Sequence, residues 1–181
     1  MTFNPKIIDF FKEHNMYDQE MFKYLQKQSD MVDYDDPDQR YFVGCFYILD
    51  KSGTRLTDLR LNLPYINSEE TMLISVHELT HAIFNYPKIG KKFKKDITIE
   101  TLPLLYEKIY ANEHPSKWLE AYLHRLDGMT YEKYPEYAFG LKAREKLYQV
   151  YQKNPEKMAK IVEKMSQEYQ FEQFKNKFRR K

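Results

Sequence analysis

The chain has 181 residues, of which 42% are hydrophobic and 16% aromatic, so one domain spanning residues 1–181 with a single apolar core is expected. Its 29 basic and 27 acidic side chains leave a formal charge of +2, which excludes an overall field that would attract nucleic acid or a membrane surface. The single cysteine, Cys45, excludes an internal disulfide framework, and the sequence shows no signal peptide and no apolar run of membrane-spanning length. A cytoplasmic protein is therefore predicted, and export by a route that needs no signal peptide stays open.

Two short helices and an acidic loop are predicted at the amino terminus. Asn4-Pro5 has the form of an N-cap followed by proline at the first helical position. The next helix is expected to start at Asp18. The apolar residues of the two helices should face the core: Ile7, Ile8, Phe10, Phe11, Met21, Phe22 and Leu25. The segment from Asp30 to Asp38 lacks the glycine and glutamate of a calcium loop, so a solvated loop is predicted there.

A β-hairpin is predicted next. Tyr41 to Leu49 is a run of aromatic and β-branched residues, and Lys51-Ser52-Gly53 is a turn signal. The return strand alternates, with Leu59 and Leu61 on the face opposite to Arg60. The strand nearest to the following helix could offer backbone groups to an extended peptide.

The helix that follows carries the most informative motif of the chain, His77-Glu78-Leu79-Thr80-His81, an H-E-x-x-H word. Asn67 and Glu70 have the form of an N-cap and a capping box, and Pro87 should end the helix. Apolar residues on nearly every face predict that the helix is buried.

This motif predicts a zinc site. Histidines four residues apart lie on one face of a helix, where a zinc ion can bridge His77 and His81. Glu78 is rotated by about 100° from its neighbour, which suits a general base beside the metal. Zinc would also satisfy both buried imidazoles. The alternative is a pair of hydrogen-bonded core histidines.

A later helix offers two candidates for a third, anionic ligand. Asn85 to Asp96 is predicted to be a loop whose lysines at 91, 92, 94 and 95 are solvated, with contact to an anionic partner as the alternative. Ile97 to Asn112 is then predicted to be helical, with Pro103 near its first turn. Glu100 should therefore lie near a helix amino terminus, where the dipole favours an ionised carboxylate. Glu107 lies two turns along the same face and could replace Glu100 or support it from outside the ligand set. Three further helices are predicted: Ser116 to Leu126, Tyr137 to Gln152 and Pro155 to about Phe178.

The residues around the motif exclude one class of zinc peptidase, and their pattern resembles another. The metzincin extension is excluded because Phe84 and Pro87 occupy its glycine and histidine positions. The segment from about Leu59 to Gly140 resembles the oligoendopeptidase F and thimet oligopeptidase family of zinc peptidases, which are gluzincins. In that family an extended segment precedes an apolar H-E-x-x-H helix, and a later helix carries two glutamates seven residues apart.

The resemblance implies an α+β, zincin-like fold, mostly helical, with a small antiparallel hairpin before the motif helix. Residues 75–84, SVHELTHAIF, and residues 100–107, ETLPLLYE, match the family's sequence motifs. The match implies these zinc ligands and this base: His77, His81 and Glu100, with Glu78 as base. The segment from Tyr134 to Gly140 looks like the family's tyrosine-rich segment, which implies Tyr137 and Tyr134 as donors to the substrate carbonyl.

A zinc-dependent peptidase is the leading functional hypothesis, with a peptide or an unfolded protein as substrate. Zinc would lower the pKa of a bound water, and Glu78 would take its proton and pass it to the leaving amine. Tyr137, then Tyr134, then His124 are the candidate oxyanion donors. Thr80 stands where the family has glycine, the interval from His81 to Glu100 is short, and no large covering domain is present. Thr80 and the missing covering domain motivate a second hypothesis, a zinc-stabilised binding module that does not cut its peptide. A third hypothesis is a metal-free helical interaction module.

Overall fold

The structure is a computed structural model that describes residues 3–29, 44–63, 68–86, 89–90, 100–128 and 135–166. The predicted loop at 30–38 lies outside these ranges, as do residues 87–88 and 91–96 of the second predicted loop, residues 41–43 of the first strand, Tyr134, and the last helix beyond residue 166. Asn85, where the second loop was predicted to begin, is instead the last residue of the motif helix. The described part of the chain is mostly helical with a small antiparallel sheet. It contains no helix with the length and apolar character needed to cross a lipid bilayer.

The two amino-terminal helices form as the sequence predicts. Helix α1 spans Pro5–Glu13, and the Asn4 side chain accepts a hydrogen bond from the Lys6 amide, as an N-cap does. Helix α2 spans Gln19–Ser29, and Asp18 accepts a hydrogen bond from the Met21 amide. Their apolar residues enter the main core: Ile7, Phe10, Phe11, Met21, Phe22 and Leu25.

The predicted hairpin is confirmed within the described residues. Strand β1, Gly44–Leu49, pairs antiparallel with β2, Leu56–Asn62, in a register that sets Cys45 opposite Leu61. Gly53 adopts a φ of +69° in the turn, a conformation that glycine reaches without strain. Leu59 and Leu61 are buried while Arg60 is exposed, so one face of β2 is turned to the core.

The motif helix, α3, spans Glu69–Asn85 and begins one residue later than predicted. Ser68 is its N-cap, and the Ser68 side chain accepts a hydrogen bond from the Thr71 amide at 3.2 Å. The prediction of Asn67 as N-cap was therefore wrong, because a serine next to it supplies the same acceptor at the start of the helix. Leu73, Val76 and Leu79 are fully buried, which confirms the predicted burial of α3.

Four further helices follow α3 in the described part of the chain. Helix α4 spans Thr101–Glu113, α5 spans Lys117–Asp127, α6 spans Pro135–Lys153 and α7 spans Pro155–Ser166. Helix α4 starts four residues later than predicted, which makes Pro103 its third residue, where no backbone donor is needed. Helix α3 contacts α1, both strands, α4 and α5, and α4 also packs on α6. The motif helix is thus central, with α4 between it and α6.

Candidate metal centre

Helix α3 brings the two motif imidazoles together in the interior. His77 and His81 lie one turn apart, their ring centroids are 4.8 Å apart, and their Nε2 atoms are separated by 3.1 Å. Their side chains are only 7% and 9% exposed. Two buried imidazole nitrogens that face each other need either a shared proton or a cation between them.

Glu100 completes a three-residue group with these histidines. It occupies the N-cap position of α4, yet its carboxylate makes no capping hydrogen bond to its own helix. Instead, its Oε2 lies 3.1 Å from His77 Nε2 and 3.4 Å from His81 Nε2. We name His77, His81 and Glu100 the ligand cluster, because their donor atoms all lie within 4.8 Å of one another and could hold a metal ion.

The separations within the ligand cluster suit zinc. Tetrahedral zinc with ligands at about 2.0 to 2.1 Å has neighbouring ligand atoms about 3.3 Å apart. The three contacts measure 3.1, 3.1 and 3.4 Å. Glu100 Oε2 is buried and, among the described residues, has no hydrogen-bond partner with good alignment, although both imidazoles lie within ion-pair distance. A cation would satisfy that oxygen.

His77 and Glu100 each shift the pKa of the other toward its charged form. Burial alone would lower the pKa of His77, but the nearby Glu107 and Glu100 carboxylates outweigh burial and raise it. Burial would likewise raise the pKa of Glu100, yet the adjacent His77 and His81 imidazoles hold it well below its usual value. A metal ion between the imidazoles would supply the positive charge that these contacts favour.

Glu107 contacts the ligand cluster from the opposite side. Its side chain is 2% exposed, and its Oε1 lies 3.1 Å from His77 Nδ1, the nitrogen that points away from Glu100. The Tyr122 hydroxyl donates to the same oxygen at 3.4 Å. Of the two glutamates left open by the residue pattern, Glu100 alone approaches both Nε2 atoms, and Glu107 is placed to orient His77.

His81 has outer partners that sequence reasoning missed. Its Nδ1 lies 3.4 Å from the Tyr47 hydroxyl, which also accepts a hydrogen bond from Asn85 Nδ2 at 3.2 Å. Asn85 Nδ2 donates in addition to the His81 carbonyl oxygen at 2.7 Å. The spacing of four residues places Asn85 one helical turn after His81, so this contact could have been predicted from the sequence. No local pattern connects Tyr47 on β1 with α3.

Glu78, the predicted base, is half-buried and fixed by the sheet. Its Oε2 accepts a hydrogen bond of 2.7 Å from the Cys45 backbone amide of β1. Burial raises the pKa of Glu78, and the charges of His77 and His81 oppose part of that rise. One backbone donor of β1 is therefore used to hold this carboxylate next to the ligand cluster.

Thr80 is fully buried, and its hydroxyl donates to the Val76 carbonyl oxygen of the same helix at 2.6 Å. This bond uses the polar group of Thr80 inside α3, so the hydroxyl is not directed at the ligand cluster. Thr80, which stands where the family's motif has glycine, is therefore a buried residue of α3 whose hydroxyl is already hydrogen-bonded.

The predicted oxyanion donors have different positions. The Tyr137 ring lies nearly parallel to the His77 ring, at 12° with centroids 6.4 Å apart, so this tyrosine stands beside the ligand cluster. His124 is exposed on α5 and makes no hydrogen bond or ring contact with the cluster within the described residues. Tyr134 lies outside them.

Comparison of the chain with known protein families, with curated proteins and with solved structures found no match. The chemical interpretation of this centre therefore depends on its residues and their geometry.

Proposed function

We propose that this protein is a zinc-dependent peptidase with a zincin-like fold. The observation that carries the proposal is the convergence of two imidazole nitrogens and one carboxylate oxygen at separations of 3.1 to 3.4 Å, next to the carboxylate of Glu78. Two histidines and a glutamate that leave one coordination position open form a ligand set of catalytic zinc.

His77, His81 and Glu100 would hold the ion. Zinc in such a set supplies Lewis acidity, which polarises a carbonyl group and lowers the pKa of water. Glu78 accepts the proton of the attacking water and then donates it to the leaving amine of a peptide or unfolded-protein substrate. The hydrogen bond from Cys45 leaves the second oxygen of Glu78 for this transfer. Tyr137 and Tyr134 are the proposed donors to the carbonyl oxygen.

The test separates metal binding from chemistry. Wild type, Glu78→Gln and Glu70→Gln are purified without added metal, their zinc content is measured, and hydrolysis of a mixed peptide library is followed by mass spectrometry. Glu70 is the matched control because it is an exposed glutamate of the same helix. Glu78→Gln should keep one zinc per chain and lose about 100-fold or more in turnover, while Glu70→Gln retains both properties.

Three other outcomes would contradict the proposal. Full turnover by Glu78→Gln would refute the role of this base. Wild type that binds zinc and peptides but cuts none would favour a zinc-stabilised binding module. Wild type that binds no zinc would favour a metal-free helical interaction module.

A further inference from the structure

Gly140 of helix α6 lies against Glu100 of the ligand cluster. A Cβ atom built on Gly140 would lie 3.2 Å from Glu100 Cβ, 3.3 Å from the Glu100 carbonyl carbon and 2.8 Å from Leu104 Cδ1. The first two distances are tighter than nearly all real Cβ contacts, and the third is closer than such contacts occur. Glycine in a helix interior is unfavourable compared with alanine, so its presence here matches a requirement for close approach.

We propose that Gly140 is a positioning residue that sets the distance between the Glu100 carboxylate and the imidazoles of His77 and His81. This inference deepens the proposed function and rests on it. A side chain at 140 would press on the backbone and Cβ of Glu100, which are the rigid parts of that residue. A shift of a few tenths of an ångström is as large as the difference between the 3.1 and 3.4 Å contacts of Glu100.

A second contact between the same helices concentrates this shift at Glu100. Lys108 Nζ on α4 bonds both carboxylate oxygens of Glu145 on α6, at 2.6 and 2.8 Å. Lys108 lies eight residues after Glu100, about 12 Å along the helix. Because this ion pair holds α4 against α6, an added side chain at 140 would move the Glu100 end of α4 rather than the whole helix.

The experiment compares Gly140→Ala with Gly128→Ala. Gly128 is a suitable control because it has a φ of −82°, and within the described part of the chain a Cβ there would meet only the Arg125 carbonyl oxygen, at 3.4 Å. Zinc dissociation constants are measured by competition with a chromophoric chelator, and the visible spectrum of the cobalt-substituted protein reports ligand geometry. Gly140→Ala should bind zinc about 10- to 100-fold more weakly, with an altered cobalt spectrum, and Gly128→Ala should match wild type.

The outcomes distinguish this inference from the proposed function. Wild type without zinc affinity would remove the proposed function itself. Zinc affinity in wild type that is unchanged in Gly140→Ala would overturn the inference alone, as would a lower melting temperature with an unaltered cobalt spectrum. If Gly140→Ala does not fold, Leu104→Ala relieves the tightest contact, and the double variant is compared with Leu104→Ala. Equal zinc affinity in that pair would also overturn the inference.

Discussion

Replacing Glu107 with glutamine should weaken zinc binding although Glu107 is not expected to touch the ion. The Glu107 carboxylate lies 3.1 Å from His77 Nδ1 and its side chain is almost fully buried. A carboxylate at that distance favours positive charge on the imidazole, which is the direction in which Glu107 shifts the pKa of His77. The carboxylate therefore makes His77 a more basic ligand and fixes the orientation of its ring.

Glutamine keeps the shape of the side chain but only part of this attraction. Substitutions of such outer partners typically weaken metal binding about 10- to 100-fold, which is about 1.4 to 2.7 kcal/mol. The assay is zinc competition with a chelator, with denaturant unfolding of the metal-free protein to show that the variant folds.

Glu113→Gln is the matched control for this substitution. Glu113 lies on the same helix and forms a similar ion pair, with its Oε2 3.1 Å from His14 Nε2, but it is remote from the ligand cluster. The Glu113→Gln variant should bind zinc with the same affinity as wild type. The role assigned to Glu107 is refuted if Glu107→Gln binds zinc as tightly as wild type, or if both variants lose the same affinity.

Three further predictions concern the surroundings of the site. Tyr137→Phe keeps the ring beside His77, so zinc affinity should persist while kcat falls about 100-fold or more; unchanged kcat would exclude its hydroxyl as a donor. Thr80→Gly should lower the free energy of unfolding by about 1 to 3 kcal/mol in a denaturant titration and leave zinc affinity unchanged. Higher stability of the variant would contradict a stabilising role for the hydrogen bond from Thr80 to Val76. Burial would raise the pKa of Glu145, but hydrogen bonds from Lys108 and Arg144 lower it below its usual value. The ion pair therefore contributes stability above the unfolded pKa of about 4.3, and this contribution is lost as pH falls through the folded pKa. Glu145→Gln should make the free energy of unfolding fall less steeply as pH is lowered. An equally steep fall in the variant would count against the ion pair.

The local parts of this structure could be predicted from the sequence. The spacing of His77 and His81 fixed their common face, because helix geometry depends only on neighbouring residues. The hairpin followed from alternation and a turn signal for the same reason. The first residue of α3 could not be predicted from the sequence, because Asn67 and Ser68 are both good N-caps and only the folded chain selects one of them.

The contacts around the site depend on residues far apart in the chain. The choice between Glu100 and Glu107 required the packing of α4 on α3, which places one carboxylate at each side of His77. The hydrogen bond from Cys45 to Glu78 joins residues 33 positions apart. The approach of Gly140 to Glu100 likewise depends on how two helices cross. No periodic pattern carries such information.

The most direct test of the account is a crystal structure of the protein grown with zinc, with anomalous diffraction recorded at the zinc absorption edge. We predict one zinc ion per chain, about 2.0 to 2.2 Å from His77 Nε2, His81 Nε2 and a Glu100 oxygen, with Glu107 still on His77 Nδ1. An ion bound without Glu100, or no anomalous peak between the two imidazoles, would contradict the central claim.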